Sequence, residues 1–261
     1  MVKKVKLFIL ILFCSLSFGR LEAQEVPAEF NDSAITDFLY QYTCCDAERF
    51  DSLTVSGVSL LLEKAKADMK TYEYVLEFLL NGYSNMGKSQ VVDYLLTYPM
   101  LFEGEITMEE SLRLDSITEP YQKVKVGAIA PDFEGATIEG NAYHLYESEA
   151  QCILLVFWST DCEYCHEFLT EIRRHLNLKT DYELVTFALA DSQEEVKAAV
   201  KALRLQGQHF YDPLRWESKA FLDYHITSTP TVFLLDSNKL IVCKPYDWRE
   251  LKQFIKENKN R

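Results

Sequence analysis

Two cysteines separated by two residues stand in the segment WSTDCEYCHEF, residues 158–168, and a histidine directly follows the second cysteine. A Cys-x-x-Cys pair can exchange electrons with disulfides, a Cys-x-x-Cys-His sequence can attach a c-type haem, and close cysteine pairs can supply half of a zinc site. Each chemistry needs different surroundings. The elements that position Cys162 and Cys165 therefore decide what the pair can do.

The motif follows a predicted buried strand and opens a predicted helix. Residues 152–158, CILLVFW, form a continuous apolar run that is typical of a strand buried on both faces, and the helix is predicted to run to about Asn177. The N-terminus of a helix carries free N–H groups and a positive partial charge, which favour a thiolate over a thiol. We therefore expect Cys162 to be the attacking sulfur, and Cys165, almost one turn further on, to resolve the mixed disulfide. The following His166 is interpreted as a first-turn residue that can tune Cys162 as a nearby cation.

Strands and helices alternate after the motif. ELVTFALA predicts a second buried strand, SQEEVKAAVKALRL predicts a helix with a capping box formed by Ser192 and Glu195, and DWRELKQFIKEN predicts a closing helix capped by Asp247. TVFLLD and KLIVCK, separated by Ser-Asn, predict two strands joined by a tight turn. This order predicts a central sheet covered by helices, with the active site at the C-terminal ends of its strands.

Residues from about Asp32 to Pro120 show helical periodicity instead. Asp32 or Ser33 is the expected cap of the first helix, and Gly82 and Pro99 mark expected helix ends. Short helices joined by short turns predict a small antiparallel bundle.

The first residues have the layout of a secretory signal peptide. Lys3, Lys4 and Lys6 precede an apolar run that ends at Phe18, and a small residue follows at Ala23. The run is shorter than the roughly 20 residues of a comfortable membrane span. We expect export to the periplasm or cell envelope with cleavage after Ala23, or a membrane anchor if the segment is retained.

Composition argues against two classes of protein. Asp and Glu outnumber Lys and Arg by 40 to 27, and the formal net charge is −13, whereas a nucleic-acid-binding surface needs clustered basic residues. Seven cysteines in 261 residues are too few for a small scaffold held together by disulfides. We therefore expect no nucleic-acid partner and an acidic, well-solvated surface.

A second motif, Thr-Ser-Thr-Pro at residues 227–230, directly precedes the predicted strand TVFLLD. A proline that opens a strand favours a cis bond. A strand, Trp-x-x-x-Cys-x-x-Cys, a helix and a distant Thr-Pro, in this order, resemble the thioredoxin superfamily. The opening VGAIAPDFEGATIEGNAYHLYE at residues 126–147, and the strand and helix at residues 182–208, resemble its exported TlpA/ResA-like branch. The resemblance covers residues 123–258.

This resemblance implies an α/β thioredoxin-like fold, with a central mixed sheet flanked by helices, preceded by a small all-α domain. The expected segments are a signal peptide at residues 1–23, a helical accessory domain at residues 24–122 and a thioredoxin-like domain at residues 123–261. The helical half loosely resembles accessory regions of exported oxidoreductases. Substrate selection, dimerisation and simple packing remain open for its role, and the sequence leaves the oligomeric state open as well.

The resemblance also implies a thiol–disulfide oxidoreductase that reduces protein or small disulfides through the Cys162–Cys165 dithiol. It implies a cis bond between Thr229 and Pro230, packed against the cysteines, where the Thr229 backbone pairs with a substrate strand. Trp158 is expected to shape the surface beside the site. No metal or organic cofactor is expected, and a membrane or periplasmic donor protein is expected to supply electrons.

Several positions depart from the family pattern. Val156 stands where thioredoxins carry a buried acid, and Phe168 stands where the exported branch often has Glu. Glu163 and Tyr164, between the two cysteines, complete the expected site, and Glu163 is the nearest substitute acid. A carboxylate there tends to raise the pKa of Cys162, which favours a reducing pair over an oxidising one.

Other readings of the same residues stay open. A thiol peroxidase is the main enzymatic alternative, because the sequence APDF also opens peroxiredoxins and Ser159 precedes Cys162 by three residues. A disulfide-forming oxidase would use the same cysteines. A redox-silent partner-binding protein is the alternative from a different class. Haem attachment fits the motif literally but not the buried strand before it, and a zinc site lacks a second ligand pair.

Four further cysteines need an interpretation. Cys152 and Cys243 fall on apolar strands and are interpreted as small buried hydrophobes, with their pairing left open. The adjacent Cys44 and Cys45 are interpreted as helix residues without a redox role. The alternative hypothesis makes them an internal redox partner of the main pair.

Overall fold

The computed structural model describes residues 27–40, 47–97, 106–178 and 181–258. The expected signal peptide and Cys44–Cys45 lie outside these residues. The chain divides into two compact units, with the boundary between Gln122 and Lys123. Within the described ranges, no helix is both long and apolar enough to cross a membrane.

The described part of the first unit is helical, as predicted. It contains a short 3-10 helix at Ala28–Phe30 and α-helices α1 (Asp32–Tyr40), α2 (Ala47–Ala65), α3 (Met69–Asn85), α4 (Ser89–Thr97) and α5 (Met108–Lys123). The apolar stripe of α3 lies at the centre of the core, where Tyr72, Val75, Leu76, Leu79 and Leu80 are fully buried.

Two helix ends differ from the sequence-based expectation. Neither Asp32 nor Ser33 caps α1; Asn31 does, because its Oδ1 accepts a hydrogen bond from the N–H of Ala34 at 2.9 Å. Gly82 does not end α3 but is buried inside it. The chain instead leaves the helix near Gly87, whose φ of +65° suits glycine.

The second unit contains a five-stranded mixed sheet in the order β5-β4-β3-β6-β7. Its strands are β3 (Cys152–Ser159), β4 (Glu183–Leu189), β5 (Gln208–Tyr211), β6 (Thr231–Asp236) and β7 (Ile241–Cys243). Strand β3 pairs in parallel with β4 and antiparallel with β6. A separate hairpin of β1 (Glu134–Ala136) and β2 (Ala142–His144) precedes the sheet. The fold class predicted from the sequence is confirmed.

Helices cover this sheet on both faces. They are α6 (Glu163–His175), α7 (Gln193–Leu203), α8 (Lys219–Asp223) and α9 (Trp248–Asn258), with short 3-10 helices at Leu145–Glu147 and Arg215–Glu217. Side chains alternate along β3, so that Val156 and Trp158 pack with α6, α7 and α9, whereas Phe157 packs with α8 on the opposite face.

The predicted caps of two helices are present. Ser192 Oγ accepts the N–H of Glu195 at 3.2 Å, and Asp247 Oδ1 accepts the N–H of Glu250 at 2.9 Å. The Glu195 carboxylate does not complete the expected capping box on Ser192. It accepts the N–H of Asp191 at 3.1 Å and the hydroxyl of Thr160, which links α7 to the loop after β3.

Candidate active site

Cys162 occupies the N-cap position of α6. Its backbone is extended, with φ −94° and ψ 107°, and its Sγ accepts the N–H of Cys165 at 3.1 Å. Strand β3 delivers the chain to this point, because it ends three residues earlier at Ser159. The sulfur therefore receives both a backbone hydrogen bond and the positive end of the helix dipole, which stabilise a thiolate.

The two cysteines differ in exposure. Their sulfurs lie at disulfide-bonding distance and their Cα atoms are 5.2 Å apart. Cys165 is fully buried, whereas Cys162 is half-buried. Only the outer sulfur is therefore open to another molecule.

The Thr-Ser-Thr-Pro segment reaches the same place from β6. The Thr229–Pro230 peptide bond is cis, and the Thr229 carbonyl oxygen lies 3.7 Å from Cys162 Sγ. This proximity follows from the sheet, because Thr231 at the start of β6 pairs with Phe157 near the end of β3. The structure thus brings together four of the residues selected from the sequence.

Trp158 differs from expectation. We expected it to shape the surface beside the site, but its side chain is fully buried against α6. Its ring meets the ring of His166 edge-on, with centroids 5.9 Å apart. The indole N–H and His166 Nε2 are both buried, and neither has a hydrogen-bond partner among the described residues.

The remaining selected residues, Glu163 and Tyr164, lie in the first turn of α6 and are exposed. The positions that carry acids in related sequences are filled by buried apolar side chains, Val156 and Phe168. Glu167 is exposed. A buried acid beside Cys165 is therefore not supplied by any of these three positions.

Tyr246 was missed in the sequence. It lies between β7 and α9, and burial, followed by the charges of Asp247 and Tyr164, raises its pKa. The antiparallel pairing of β7 with β6 leads the β7–α9 loop towards the end of the sheet where α6 begins. The only signal in the sequence is a large aromatic residue directly after Pro245 and next to a helix cap.

Cys152 and Cys243 are unbridged and lie on strands separated by β6. Cys152 pairs with Asp236, whereas Cys243 pairs with Leu234. Two strand spacings of about 4.8 Å put their backbones too far apart for a direct disulfide. Burial raises the pKa of Cys152, and raises that of Cys243 to about 12. Both side chains are half-buried rather than buried as expected, and their unbridged, protonated thiols suit small hydrophobes on strands.

A buried amine lies on the opposite face of the sheet. Lys244 Nζ is 5.0 Å from the ring centroid of Phe233, and burial lowers the pKa of this lysine to about 8. Phe233 belongs to the core on the face away from Cys165, so the ring that this lysine contacts lies across the sheet from the buried cysteine. Over the described ranges, no three His, Cys, Asp or Glu side chains converge as a metal site would require.

Known proteins resemble this chain to different extents. Residues 126–244 match the model of the AhpC/TSA family. A thioredoxin-like protein from Bacteroides caccae aligns over 91% of this chain and 89% of its own, with a TM-score of 0.64 and 14% identity. No curated protein matches significantly.

Two shorter structures align with about half of the chain. A thiol:disulfide interchange protein from a Bacteroides species covers 53% of this chain and 93% of its own, with 19% identity and a TM-score of 0.46. A thiol-disulfide oxidoreductase from Bacteroides fragilis covers 49% and 96%, with 22% identity and a TM-score of 0.44. The family match and the fold shared with the Bacteroides caccae protein show that the second unit has a thioredoxin-like fold.

Proposed function

We propose that this protein is an exported thiol–disulfide oxidoreductase of the TlpA/ResA-like kind, which reduces disulfides in protein substrates. The observation that carries the proposal is the position of Cys162. It caps a helix, accepts the N–H of Cys165, and lies beside both its partner cysteine and the Thr229 carbonyl. A thiolate there is stabilised, accessible and next to a resolving thiol.

In the first step, the Cys162 thiolate attacks one sulfur of the substrate disulfide. A Cys162–substrate disulfide forms, the substrate S–S bond breaks, and the departing sulfur leaves as a thiolate that takes up a proton. The Thr229 backbone pairs with the substrate strand next to Pro230, and holds the substrate sulfur near Cys162.

In the second step, Cys165 loses its proton and attacks Cys162. The Cys162–Cys165 disulfide forms and the second substrate thiol is released, so two electrons pass from the enzyme to the substrate. A donor dithiol protein in the envelope or membrane must then reduce the pair, because an oxidising compartment does not.

Reduction is favoured over oxidation by the charges around the motif. Glu163 is exposed beside Cys162, and its carboxylate opposes the helix dipole that stabilises the thiolate. A less stabilised thiolate makes the dithiol a stronger reductant, since strong oxidants owe their potential to a stabilised reduced form.

A thiol peroxidase is the second candidate, and the match to the AhpC/TSA family supports it. In that reaction Cys162 would attack the peroxide O–O bond, become a sulfenic acid with release of water or an alcohol, and condense with Cys165 to a disulfide and water. The two candidates share residues but differ in the first substrate.

Trapping experiments test the proposal. Cys165→Ser cannot resolve the mixed disulfide, so it should accumulate a covalent adduct with a denatured, disulfide-bonded protein that is released by added dithiol. Cys162→Ser should form none. If the native protein consumes peroxide rapidly, and Cys165→Ser forms no adduct, the peroxidase candidate replaces the reductase.

A further inference from the structure

Tyr246 stands at the active-site end of the sheet. Strand β7 runs antiparallel to β6, with Cys243 opposite Leu234. The same direction, continued past Cys243, leads the chain back towards the level of Thr231, which directly follows Pro230. The β7–α9 loop therefore presents Tyr246 at the end of β6 where Cys162 lies.

Helix α9 holds the loop in place. The N–H of Tyr246 donates to Glu250 Oε2 at 2.9 Å, and Asp247 caps the helix by accepting the N–H of Glu250. The tyrosine is half-buried. An aromatic side chain on a fixed backbone loses little further freedom when it contacts a ligand, which suits it to recognition.

Tyr164 approaches the same region from the first turn of α6. It lies between the two cysteines and 72% of it is exposed, a large fraction for an aromatic residue in a folded domain. Because it lies in the first turn of α6, two residues after Cys162, it is at the same end of the sheet as the β7–α9 loop that carries Tyr246. The exchange of disulfides uses neither. We refer to Tyr164 and Tyr246 as the aromatic pair.

The first turns of α6 also carry a strong negative charge. Residues 161–172 contain four Asp or Glu residues and no Lys or Arg. Asp161, Glu163 and Glu167 are exposed. Charges of one sign around a site attract partners of the opposite sign and repel like-charged ones.

We propose that the site selects extended polypeptide segments in which the reactive cysteine is flanked by a large apolar side chain and by Lys or Arg. The apolar side chain packs on the aromatic pair, and the basic side chain faces Glu163 and its acidic neighbours. This proposal rests on the proposed reductase function and names the substrate class for the same site. Aromatic side chains contribute most to such recognition because they bury large areas with few rotatable bonds.

Disulfide-bonded peptides of equal length test the selection. Three peptides carry Phe and Lys, Ala and Lys, or Phe and Glu at the two positions beside the cysteine, and kcat/KM is measured with a chemical dithiol as electron donor. The native protein should prefer the Phe-Lys peptide to the Ala-Lys peptide by about tenfold, the size expected when an apolar contact is gained. It should also prefer Phe-Lys to Phe-Glu, and this second preference should shrink at high salt.

Variants of the aromatic pair and of Glu163 test which residue causes each substrate preference. Tyr164→Ala combined with Tyr246→Ala should reduce the Phe-to-Ala ratio to about twofold or less, while the Lys-to-Glu ratio remains. Glu163→Gln should lower the Lys-to-Glu ratio and leave the Phe-to-Ala ratio unchanged. Comparing ratios removes any general effect of these variants on the reactivity of Cys162.

Tyr146→Ala provides a matched control. Tyr146 is also an exposed tyrosine, at 46%. Its hydroxyl donates to the Ala130 carbonyl, and Ala130 bonds to Lys239 in the turn at the other end of β6. Its replacement should leave both ratios unchanged.

Equal kcat/KM values for the three peptides in the native protein would overturn the selection and leave the reductase function standing. Persistence of the Phe preference in the double tyrosine variant would also overturn it. Failure to reduce any peptide would reject the reductase function itself, and the substrate class with it.

Discussion

The sulfur of Cys162 lies 3.7 Å from the carbonyl oxygen of Thr229, although the two residues are 67 positions apart in the sequence. The sheet creates this contact, since β3 leads to the cysteine and β6 begins two residues after Thr229. The proposed attacking atom and the backbone group proposed to hold an extended substrate are thereby fixed together before any substrate arrives.

The charge of Glu163 should control how reactive Cys162 is. Replacing Glu163 with Gln removes the carboxylate of the residue that directly follows Cys162, so a larger fraction of Cys162 should be thiolate at neutral pH. We expect Cys162 of the reduced Glu163→Gln protein to be alkylated about twofold faster than Cys162 of the native protein. The effect is small because interactions between exposed charged groups are weak. Glu171→Gln, two turns further along α6, is the control. Equal rates for Glu163→Gln and the native protein would show that this carboxylate does not act on the sulfur.

An acidic residue in place of Val156, as thioredoxins have at this position, should destabilise the protein. Val156 is fully buried in β3, within the apolar cluster that also holds Trp158 and Leu169, so a carboxylate there would lose its hydration. Val156→Asp is expected to lower the unfolding free energy by about 3 kcal/mol or more at neutral pH, and by less in acid, where the carboxyl is neutral. Val156→Ala, measured in the same denaturant titration, separates this effect from lost packing. A Val156→Asp protein as stable as Val156→Ala would contradict the prediction.

Acid should destabilise the second unit through its buried histidines. Burial lowers the pKa of His209 to about 4, and burial together with the Lys244 charge does the same for His225, from an ordinary value of 6.5. The unfolded chain binds these protons near pH 6.5 and the folded chain only near pH 4. The stability that comes from keeping these histidines neutral is therefore fully present above pH 6.5 and is lost as the pH falls towards about 4.

His209→Gln tests this dependence, because glutamine does not titrate. The variant should lose less stability than the native protein over that pH range, by up to about 3 kcal/mol, in denaturant titrations at several pH values. Its stability at neutral pH corrects for the lost contact with Thr186. Parallel pH profiles for the two proteins would mean that His209 is not held neutral by the fold.

Cys152 and Cys243 should take no part in electron transfer. They are unbridged, on separated strands, and burial keeps both thiols protonated. A protein with both replaced by alanine should keep the native reduction potential to within about 30 mV, which for two electrons corresponds to about 1.4 kcal/mol. A larger shift, or loss of reversibility, would show that one of them exchanges with the main pair.

Sequence patterns were sufficient for the parts of the structure that depend on local chemistry. The apolar runs predicted β3, β4 and β6, and Ser192 and Asp247 identified helix starts, because caps and periodicity act over a few residues. The order of the motif and the Thr-Pro segment was specific enough to predict their meeting, since it implied a known sheet topology.

Other features depend on tertiary packing and could not be predicted from the sequence. The run CILLVFW is apolar at every position, so it does not reveal which face Trp158 takes, and the tryptophan is buried. Any of Asn31, Asp32 and Ser33 could cap a helix by its residue type. The path of the chain before α1 determines that Asn31 is the cap. Tyr246 reaches the active-site end of the sheet through the register of β7 against β6, which no local pattern encodes.

The reduction potential of the Cys162–Cys165 pair tests the proposed function most directly. Thiols of the mature protein are trapped after equilibration in dithiol and glutathione buffers, and the reduced fraction is measured. We predict a value near or below about −270 mV, which is that of a reductase with a dedicated donor. A value near about −120 mV would reverse the proposed electron flow, and a pair that never cycles reversibly would contradict the oxidoreductase function altogether.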